Sequence, residues 1–424
     1  MDQVIENSSV YLEGRGGVFC RGCLSTDLFS ALDLGFLPLA NELLLNQNCE
    51  VEKFPLHLKV CRDCGLGQVS DVTTPDRIFR DYRYLSSTSA TFLQHAAAYV
   101  QERLNDTSFS QDEWVLEIAS NDGYLLKNFL KAGISAVGVE PAENVAEISR
   151  KLGITTISEF FSSNLAKELL LKNGFPKLVI ANNVMAHVPD LRDFIEGLSI
   201  LCGPETKISI ENPSLANILI GLQFDTIYHE HYSYLTATAV SKLSRVYGLE
   251  LNAVENLSIH GGTNRYWLKR ATPDSKVHLS VTEAIHLENL QGLSNSANWE
   301  AYSLQVSELL GNFSSWLKSA KADKRIIFGY GAAAKASTIL NSIDLEIGEI
   351  HAISDASLEK QGRYMPAVSL EIISPEILFL EKPTDVVIFP WNIKTEIADF
   401  LRGGLGNQTR LWCIVPNMHE VTIK

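Results

Sequence analysis

Four cysteines form two short pairs whose spacing is typical of a metal site. Cys20 and Cys23 make one CxxC knuckle, and Cys61 and Cys64 make the second. Two such knuckles complete the tetrahedral sulfur shell that zinc prefers, and a closed shell leaves no position for water. We therefore predict one structural zinc ion that helps to fold a small N-terminal module. Free buried thiols are the alternative, and the absence of a βαβ pattern disfavours a redox pair.

A second concentration of reactive side chains is the segment 224–234, which reads FDTIYHEHYSY. If this segment is helical, Tyr228 and His231 share a face, so a phenol and an imidazole can converge on one substrate. Glu230 can orient or polarise a ring nitrogen, as carboxylates do for catalytic histidines. Metal ligation by His229, Glu230 and His231 is an alternative, which would favour a strand.

A parallel sheet must position these side chains. From Trp114 onward, short apolar runs alternate with amphipathic stretches, which predicts strands covered by helices on both faces. The predicted strands lie at 115–118, 136–140, 178–182 and 207–211, followed by a terminal hairpin near 249–254 and 265–268. Ligands of such sheets bind outside the carboxyl ends of the strands, and the segment 224–234 follows one of those ends.

The first strand leads into a turn that suits a small cofactor. Glu140 ends the second strand about 20 residues beyond this turn, which is the pattern of an acid that binds a ribose diol. A nicotinamide dinucleotide satisfies the same rule, but the turn is poor in the glycines that a pyrophosphate requires, whereas S-adenosylmethionine has no pyrophosphate. A structural turn with an exposed Glu140 is the alternative. The candidate cofactor-binding residues are Glu117, Ala119, Asn121, Gly123, Glu140, Pro141, Asn182 and Asn183.

The residues after the fourth strand strengthen the methyl-donor interpretation. The stretch 182–190, NNVMAHVPD, resembles the NxxxHxPD signature of many class I methyltransferases. In those enzymes the first residues line the adenosine pocket. His187 is thereby predicted to line a pocket, and a histidine satisfied within its own loop is the alternative.

The C-terminal third predicts a second, smaller Rossmann-like unit. Polar-faced helices between Val277 and Ala322 precede a strand, a glycine-rich turn and a helix start over 325–335. Further strands are predicted at 350–354, 385–389 and 411–415. Gly329, Gly331 and the helix N-terminus can cradle a phosphate, with Lys335 adding charge. An inert structural copy of the fold is the equal alternative.

Composition excludes several classes of partner. The chain has 424 residues with 36 basic and 50 acidic side chains, giving a formal net charge of −14. This charge repels phosphate backbones and anionic lipid surfaces, so nucleic acid and membrane are poor partners. No long apolar run or signal pattern is present, which predicts a cytoplasmic protein.

The chain resembles the sugar C-methyltransferase family that acts on dTDP-linked 4-keto deoxysugars. The resemblance runs from Cys20 to the C-terminus. Besides the two knuckles, it rests on Pro38-Leu-Ala-Asn41, Tyr84-Leu-Ser-Ser87, Glu117-Ile-Ala-Ser-Asn-Asp-Gly123, Ala186-His-Val-Pro-Asp190, Tyr228-His-Glu-His231, His260-Gly-Gly262, Gly329-Tyr-Gly331 and Gln361-Gly-Arg363. It implies an α/β protein with a zinc-binding module (1–80), a class I methyltransferase domain (81–271), and a helical linker with a Rossmann-like domain that helps to hold the nucleotide sugar (272–424).

The resemblance also implies a mechanism. A base removes a proton beside a ketone, and the enolate carbon takes the methyl group of S-adenosylmethionine without a metal. Carried over, His231 is the base, Glu230 lies beside it, Tyr228 lies near the ketone oxygen and binds substrate, and His187 lines the pocket. The YxY repeat leaves open whether Tyr82 or Tyr84 joins them.

Two other functions stay open from the sequence. They are an NAD-dependent nucleotide-sugar oxidoreductase and a non-catalytic zinc-ribbon binding protein. The glycine-poor turn disfavours the first, and the net acidity and the tyrosine–histidine cluster disfavour the second. The sequence leaves open the sugar, the methylated carbon, the nucleotide base, and whether the chain is a monomer or a homodimer.

Overall fold

The computed structural model describes residues 19–70, 72–79, 85–110 and 112–422. Its strands and helices form three sheets and the layers that cover them. The strands are β1 (Leu28–Pro38), β2 (Lys53–Cys61), β3 (Gly67–Gln68), β4 (Trp114–Ile118), β5 (Ser135–Val139), β6 (Thr155–Ile157), β7 (Leu178–Asn182), β8 (Lys207–Pro213), β9 (Ser233–Tyr234), β10 (Leu249–Leu257), β11 (Thr263–Arg270), β12 (Ile327–Tyr330), β13 (Ile353–Ser354), β14 (Ile372–Ile373), β15 (Asp385–Ile388), β16 (Arg410–Cys413) and β17 (His419–Glu420).

The helices connect these strands and cover the sheets. They are α1 (Pro75–Phe79), α2 (Ala90–Asp106), α3 (Leu126–Lys131), α4 (Glu143–Lys151), α5 (Ser163–Asn173), α6 (Leu191–Leu201), α7 (Leu215–Ile220), α8 (Ala237–Val246), α9 (Leu279–Gln291), α10 (Ser296–Ala322), α11 (Ala334–Asn341), α12 (Pro375–Glu381) and α13 (Lys394–Leu405). Ser89 caps α2, because its side chain accepts a hydrogen bond from the Phe92 amide. In the described part of the chain, no helix combines the length and apolarity needed to cross a bilayer.

The N-terminal sheet is a small antiparallel one with the order β1-β2-β3-β9. Leu28 pairs with Cys61 at one end of the β1–β2 ladder, and Pro38 pairs with Lys53 at the other. Its fourth strand, β9, comes from the segment 224–234 that follows β8. The catalytic candidate segment is therefore attached to the N-terminal sheet.

The central sheet has seven strands in the order β10-β11-β8-β7-β4-β5-β6. Strands β4 to β8 are parallel, and the terminal β10–β11 hairpin is antiparallel, as the sequence predicts. Buried apolar side chains fill both faces of this sheet, which explains the continuous apolar runs of β4 and β7. The parallel arrangement brings the carboxyl ends of β4, β5, β7 and β8 to one edge.

The C-terminal sheet has six strands in the order β14-β13-β12-β15-β16-β17, with β17 antiparallel to β16. The sequence predicts four of these strands and misses β14 and β17, which have two residues each. The long helix α10 buries Trp299, Tyr302 and Phe313 in a core that also contains side chains of β1 and β12. Helix α10 thus joins the N-terminal and C-terminal units through shared packing.

Candidate active site

The four cysteines of the two knuckles come together as predicted. Their sulfur atoms all lie within 4.8 Å of one another, with Cys20 Sγ 3.5 Å from Cys64 Sγ and Cys23 Sγ 3.6 Å from Cys61 Sγ. A tetrahedral zinc ion with Zn–S bonds of about 2.3 Å holds its sulfurs about 3.8 Å apart, so the set fits zinc. Hydrogen bonds among these thiols lower the pKa of Cys61 and raise the pKa of Cys20 and Cys64.

The turn after β4 has the strained backbone of a ligand-binding turn. Ala119 and Asn121 adopt φ values of 54° and 48°, which non-glycine residues rarely adopt. Gly123 has φ 79°, and a Cβ there would lie 2.4 Å from Ile154 Cδ1, so only glycine fits. The turn presents its backbone at the carboxyl edge of the sheet.

Glu140 lies against this turn and is buried, in contrast to the exposed alternative. Its two carboxylate oxygens accept hydrogen bonds from the Asn121 amide at 3.0 Å and the Ala142 amide at 2.9 Å. Each oxygen keeps a lone pair that a ribose hydroxyl can use. Burial raises the pKa of Glu140 to about 7, although the two amides oppose this shift. Pro141 follows it at the surface of the same loop.

The surroundings of the turn are acidic, which suits a cationic ligand. Glu117 is fully buried in β4, and burial raises its pKa well above the usual range despite a hydrogen bond with Tyr124. The charges of Asp122, Glu140 and Glu211 raise it further. The sulfonium and ammonium groups of S-adenosylmethionine fit such a site.

Asp122 Oδ1 and Asn182 Oδ1 are among the buried acceptors at this edge that have no hydrogen-bond donor among the described residues. Asn183 follows Asn182 with φ 55°, and its amide donates to the Glu211 carbonyl. Asn121 and Asp122 also accept hydrogen bonds from the Ser86 and Ser87 amides at 2.9 and 3.2 Å. The hydrogen bonds from Ser86 and Ser87 connect the residues just before α2 to the turn after β4. No pattern in the sequence indicates them.

The imidazole of His231 is held in a defined tautomer. Its Nδ1 lies 2.9 Å from the Thr226 carbonyl, which can only accept, so Nδ1 carries the proton. Nε2 therefore has the lone pair, and it lies 2.9 Å from the Tyr228 hydroxyl, which donates to it. Residues 228–231 form a turn, whereas the predicted pairing of Tyr228 with His231 assumed a helix. The two side chains still meet, because the His231 amide donates a hydrogen bond to the Tyr228 carbonyl, and their ring centroids lie 4.1 Å apart.

His187 reaches the same place from the loop after β7. Its ring centroid lies 4.7 Å from that of His231, and its Nδ1 donates to the Glu230 carbonyl at 2.8 Å. Burial lowers the pKa of His187 to about 4, so this imidazole is neutral near pH 7. Tyr82 and Tyr84, the remaining pocket candidates, lie outside the described residues.

The neighbours of His231 point away from its imidazole. From the sequence, the carboxylate of Glu230 was expected to contact a ring nitrogen. In the structure it instead accepts two hydrogen bonds from Asn41 Nδ2, at 2.8 and 2.7 Å. His229 packs edge-on against Phe54 of β2, with ring centroids 6.1 Å apart, and burial lowers its pKa. The three side chains diverge, and within the described residues they form no metal-ligand group, which argues against the metal alternative.

The glycine-rich turn of the C-terminal sheet is explained by packing. A Cβ at Gly329 would lie 2.3 Å from Ile353 Cγ1, and one at Gly331 would lie 2.4 Å from Pro390. The Ala332 amide, which would face a phosphate, donates to the Asp355 carboxylate at 2.9 Å. The turn therefore keeps its glycines for reasons independent of a ligand.

Lys335, which follows this turn, contacts Asp225 of the segment 224–234. Its Nζ lies 3.7 Å from Asp225 Oδ2 and 4.4 Å from the centroid of the Trp391 ring. Trp391 Nε1 donates to the same Asp225 oxygen at 2.7 Å. Burial lowers the pKa of Lys335, and the charge of Asp225 opposes this. Lys335, the predicted phosphate contact, thus has the carboxylate of Asp225 as its partner.

Comparison with known proteins covers the three units in turn. A zinc binding domain model matches residues 20–79, a methyltransferase domain model matches 92–254, and a C-methyltransferase C-terminal domain model matches 258–416. The C-methyltransferase NovU of Streptomyces niveus is 31% identical over 405 residues, which cover 95% of this chain and 96% of that protein.

Two solved structures each resemble less than half of the chain. The magnesium protoporphyrin IX methyltransferase of Synechocystis shares 14% identity over 42% of this chain and 79% of that chain, with a TM-score of 0.32. The PH0226 protein of Pyrococcus horikoshii shares 15% identity over 46% of this chain and 98% of that chain, with a TM-score of 0.36.

The whole-length relative and the three domain models exclude both an NAD-dependent oxidoreductase and a non-catalytic zinc-ribbon protein. The cysteine cluster supplies the ligands of the zinc-binding domain, and the acidic turn after β4 fits the methyl donor. The chain therefore belongs to the C-methyltransferase family and is an S-adenosylmethionine-dependent methyltransferase with an N-terminal zinc-binding domain.

Proposed function

We propose that this enzyme methylates the carbon beside the ketone of a nucleotide-linked, dTDP-type 4-keto-6-deoxysugar, with His231 as the base. The observation that carries this proposal is the tautomer of His231. Because Thr226 holds the proton on Nδ1, the lone pair of Nε2 is directed toward Tyr228 and is available as a base once substrate is bound. An imidazole works well as a general base near neutral pH.

The chain's own residues account for the proton and the charge. His231 Nε2 takes the proton of the carbon beside the ketone, and the electron pair of that C–H bond passes to the ketone oxygen. The Tyr228 hydroxyl, displaced from Nε2 by the substrate, donates a hydrogen bond to the developing enolate oxygen. S-adenosylmethionine, when held by the turn after β4 and Glu140, would supply the methyl group: the enolate carbon takes it as the ketone re-forms, and the electron pair of the broken S–CH₃ bond stays on sulfur in S-adenosylhomocysteine. His231 then releases its proton to solvent.

The remaining candidates have supporting roles in this proposal. His187, neutral at pH 7, borders His231 and excludes water from one side of its ring. Tyr82 or Tyr84 lines the same pocket. Gly329, Gly331 and Lys335 are the proposed nucleotide contacts, and a phosphate at Lys335 would compete with Asp225. Zinc stays outside the chemistry because its four thiolates leave no open position.

The proposal is tested by incubating the purified enzyme and S-adenosylmethionine with dTDP-4-keto-6-deoxysugars. The matched control is the same sugar reduced to the 4-alcohol, which has no acidic C–H beside a ketone. We expect a product with a new C–CH₃ bond from the ketone and none from the alcohol. Methylation of the alcohol, transfer to oxygen or nitrogen, or no reaction with any ketone in the panel would contradict the proposal.

A further inference from the structure

The zinc-binding domain places one side chain directly against the catalytic segment. Asn41 follows the end of β1, and its Nδ2 lies 2.8 and 2.7 Å from the two carboxylate oxygens of Glu230. Glu230 is 3% exposed, and in the described part of the chain the hydrogen bonds to its carboxylate both come from Asn41. Leaving this buried carboxylate without a donor would be unfavourable, so Asn41 fixes where Glu230 lies.

Glu230 is held at two points, its side chain and its backbone carbonyl. Its side chain is bound by Asn41, and its backbone carbonyl accepts the Nδ1 proton of His187 at 2.8 Å. His187 in turn borders the ring of His231 at 4.7 Å. A change at Asn41 therefore reaches the base through residue 230 and the His187 ring.

The zinc site and Asn41 lie at opposite ends of one hairpin. Cys61 is the last residue of β2 and pairs with Leu28, whereas Pro38, three residues before Asn41, pairs with Lys53 at the far end. Beyond Asn41, Leu44 forms a β-bridge with Tyr364 of the C-terminal domain. The loop that carries Asn41 is thus anchored on both sides.

We propose that Asn41 is a positioning residue for the proposed reaction, by which the zinc-binding domain holds Glu230, His187 and His231 in register. This inference rests on the proposed function for its catalytic readout. Asn41 is itself exposed, so its replacement leaves no core cavity. The contacts of His229 with Phe54 and of β9 with β3 keep the segment attached to the N-terminal sheet when Asn41 is removed.

The test compares Asn41→Ala and Asn41→Asp with the control Asn48→Ala. The Asp variant keeps the shape of the side chain but cannot donate and faces a second carboxylate. Asn48 is exposed in the same loop, and its hydrogen bond to Asn46 uses its backbone amide. We expect both Asn41 variants to lower kcat about 10–100-fold, because small displacements of a base are costly, with unchanged S-adenosylmethionine affinity and an unchanged control.

A readout that needs no substrate separates this inference from the proposed function. In ¹⁵N-histidine spectra of the zinc-loaded enzyme, we expect the Nδ1–H signal of His187 to shift or broaden in both Asn41 variants and not in Asn48→Ala. A shift in an enzyme that methylates no keto-sugar would count against the proposed function and support the role of Asn41. An unshifted His187 signal together with wild-type kcat would overturn the inference.

Discussion

At the residue scale, the clearest result is that backbone carbonyls fix the tautomers of His187 and His231. Thr226 holds the Nδ1 proton of His231, and Glu230 holds the Nδ1 proton of His187. A carbonyl cannot donate, so both rings present Nε2 as the acceptor. The protonation pattern that a base requires is therefore built into the turn 226–231 before any ligand binds.

Glu140 gives a prediction about cofactor affinity. Glu140→Gln keeps the shape but removes the charge that strengthens hydrogen bonds from the ribose hydroxyls, so S-adenosylmethionine affinity should fall about 10–100-fold. Calorimetry measures it, with the exposed Glu147→Gln as the control. An unchanged dissociation constant in Glu140→Gln would move the ribose contact elsewhere.

The same residue makes cofactor binding depend on pH. Because burial raises the pKa of Glu140 to about 7, the carboxyl must lose its proton on binding below that pH. Wild-type affinity should be flat above pH 7 and fall by up to about tenfold for each pH unit below it. The Glu140→Gln variant should lack this dependence, and an equal dependence in both proteins would assign the titration to another group.

At the scale of elements, the two zinc knuckles join the end of the β1–β2 hairpin to the central domain. Cys20, Cys61 and Cys64 belong to the same buried core as Met185, Leu235 and other side chains of the methyltransferase unit. Cys61→Ser should therefore remove zinc and destabilise the N-terminal domain. Elemental analysis and thermal unfolding measure this, with the exposed Cys49→Ser as the control. Full stability and activity without metal would contradict it.

The contact of α11 with the catalytic segment gives a prediction that separates two roles of Lys335. Lys335→Met leaves the fully buried Asp225 without its cation, so the free energy of unfolding should fall by about 3 kcal/mol. Urea unfolding measures it, with the exposed Lys167→Met as the control. Unchanged stability with a large rise in the KM of the nucleotide sugar would instead make Lys335 chiefly a nucleotide contact.

The success of the sequence-based predictions depended on how local the determining interactions are. The runs at 115–118 and 178–182 are mainly apolar, with Glu117 and Asn182 as the exceptions, so they predict buried parallel strands without knowledge of their partners. The CxxC spacing likewise predicts a zinc site from residues that are close together in the sequence. The two-residue strands β3 and β9 carry no such pattern, since only their tertiary pairing makes them strands.

At the site, the partners that the sequence does not indicate are those that lie far away along the chain. Glu230 is adjacent to His231 in sequence, but its partner Asn41 lies 189 positions away, and no local rule selects it. Lys335 follows a glycine-rich turn, which suggests a phosphate, yet the distant Asp225 pairs with it. Buried charges take the partners that the tertiary fold provides, and a single sequence does not reveal them.

At the scale of the whole molecule, the catalytic segment is held by all three units. Strand β9 joins it to the N-terminal sheet, and the His231 ring contacts His187 of the central domain. Asp225 and Ile227 contact the C-terminal domain through Lys335, Trp391 and Thr338. We infer that all three units together hold His231, the proposed base, in place.

The most direct test of His231 as the base measures solvent deuterium exchange at the carbon beside the ketone. S-adenosylhomocysteine is bound in this experiment, so that no methyl group is available. The wild-type enzyme should exchange that hydrogen. His231→Asn should slow the exchange about 10²–10⁴-fold while its S-adenosylmethionine affinity, measured by calorimetry, stays nearly unchanged. Exchange at the wild-type rate in His231→Asn would show that another group is the base and would contradict the account.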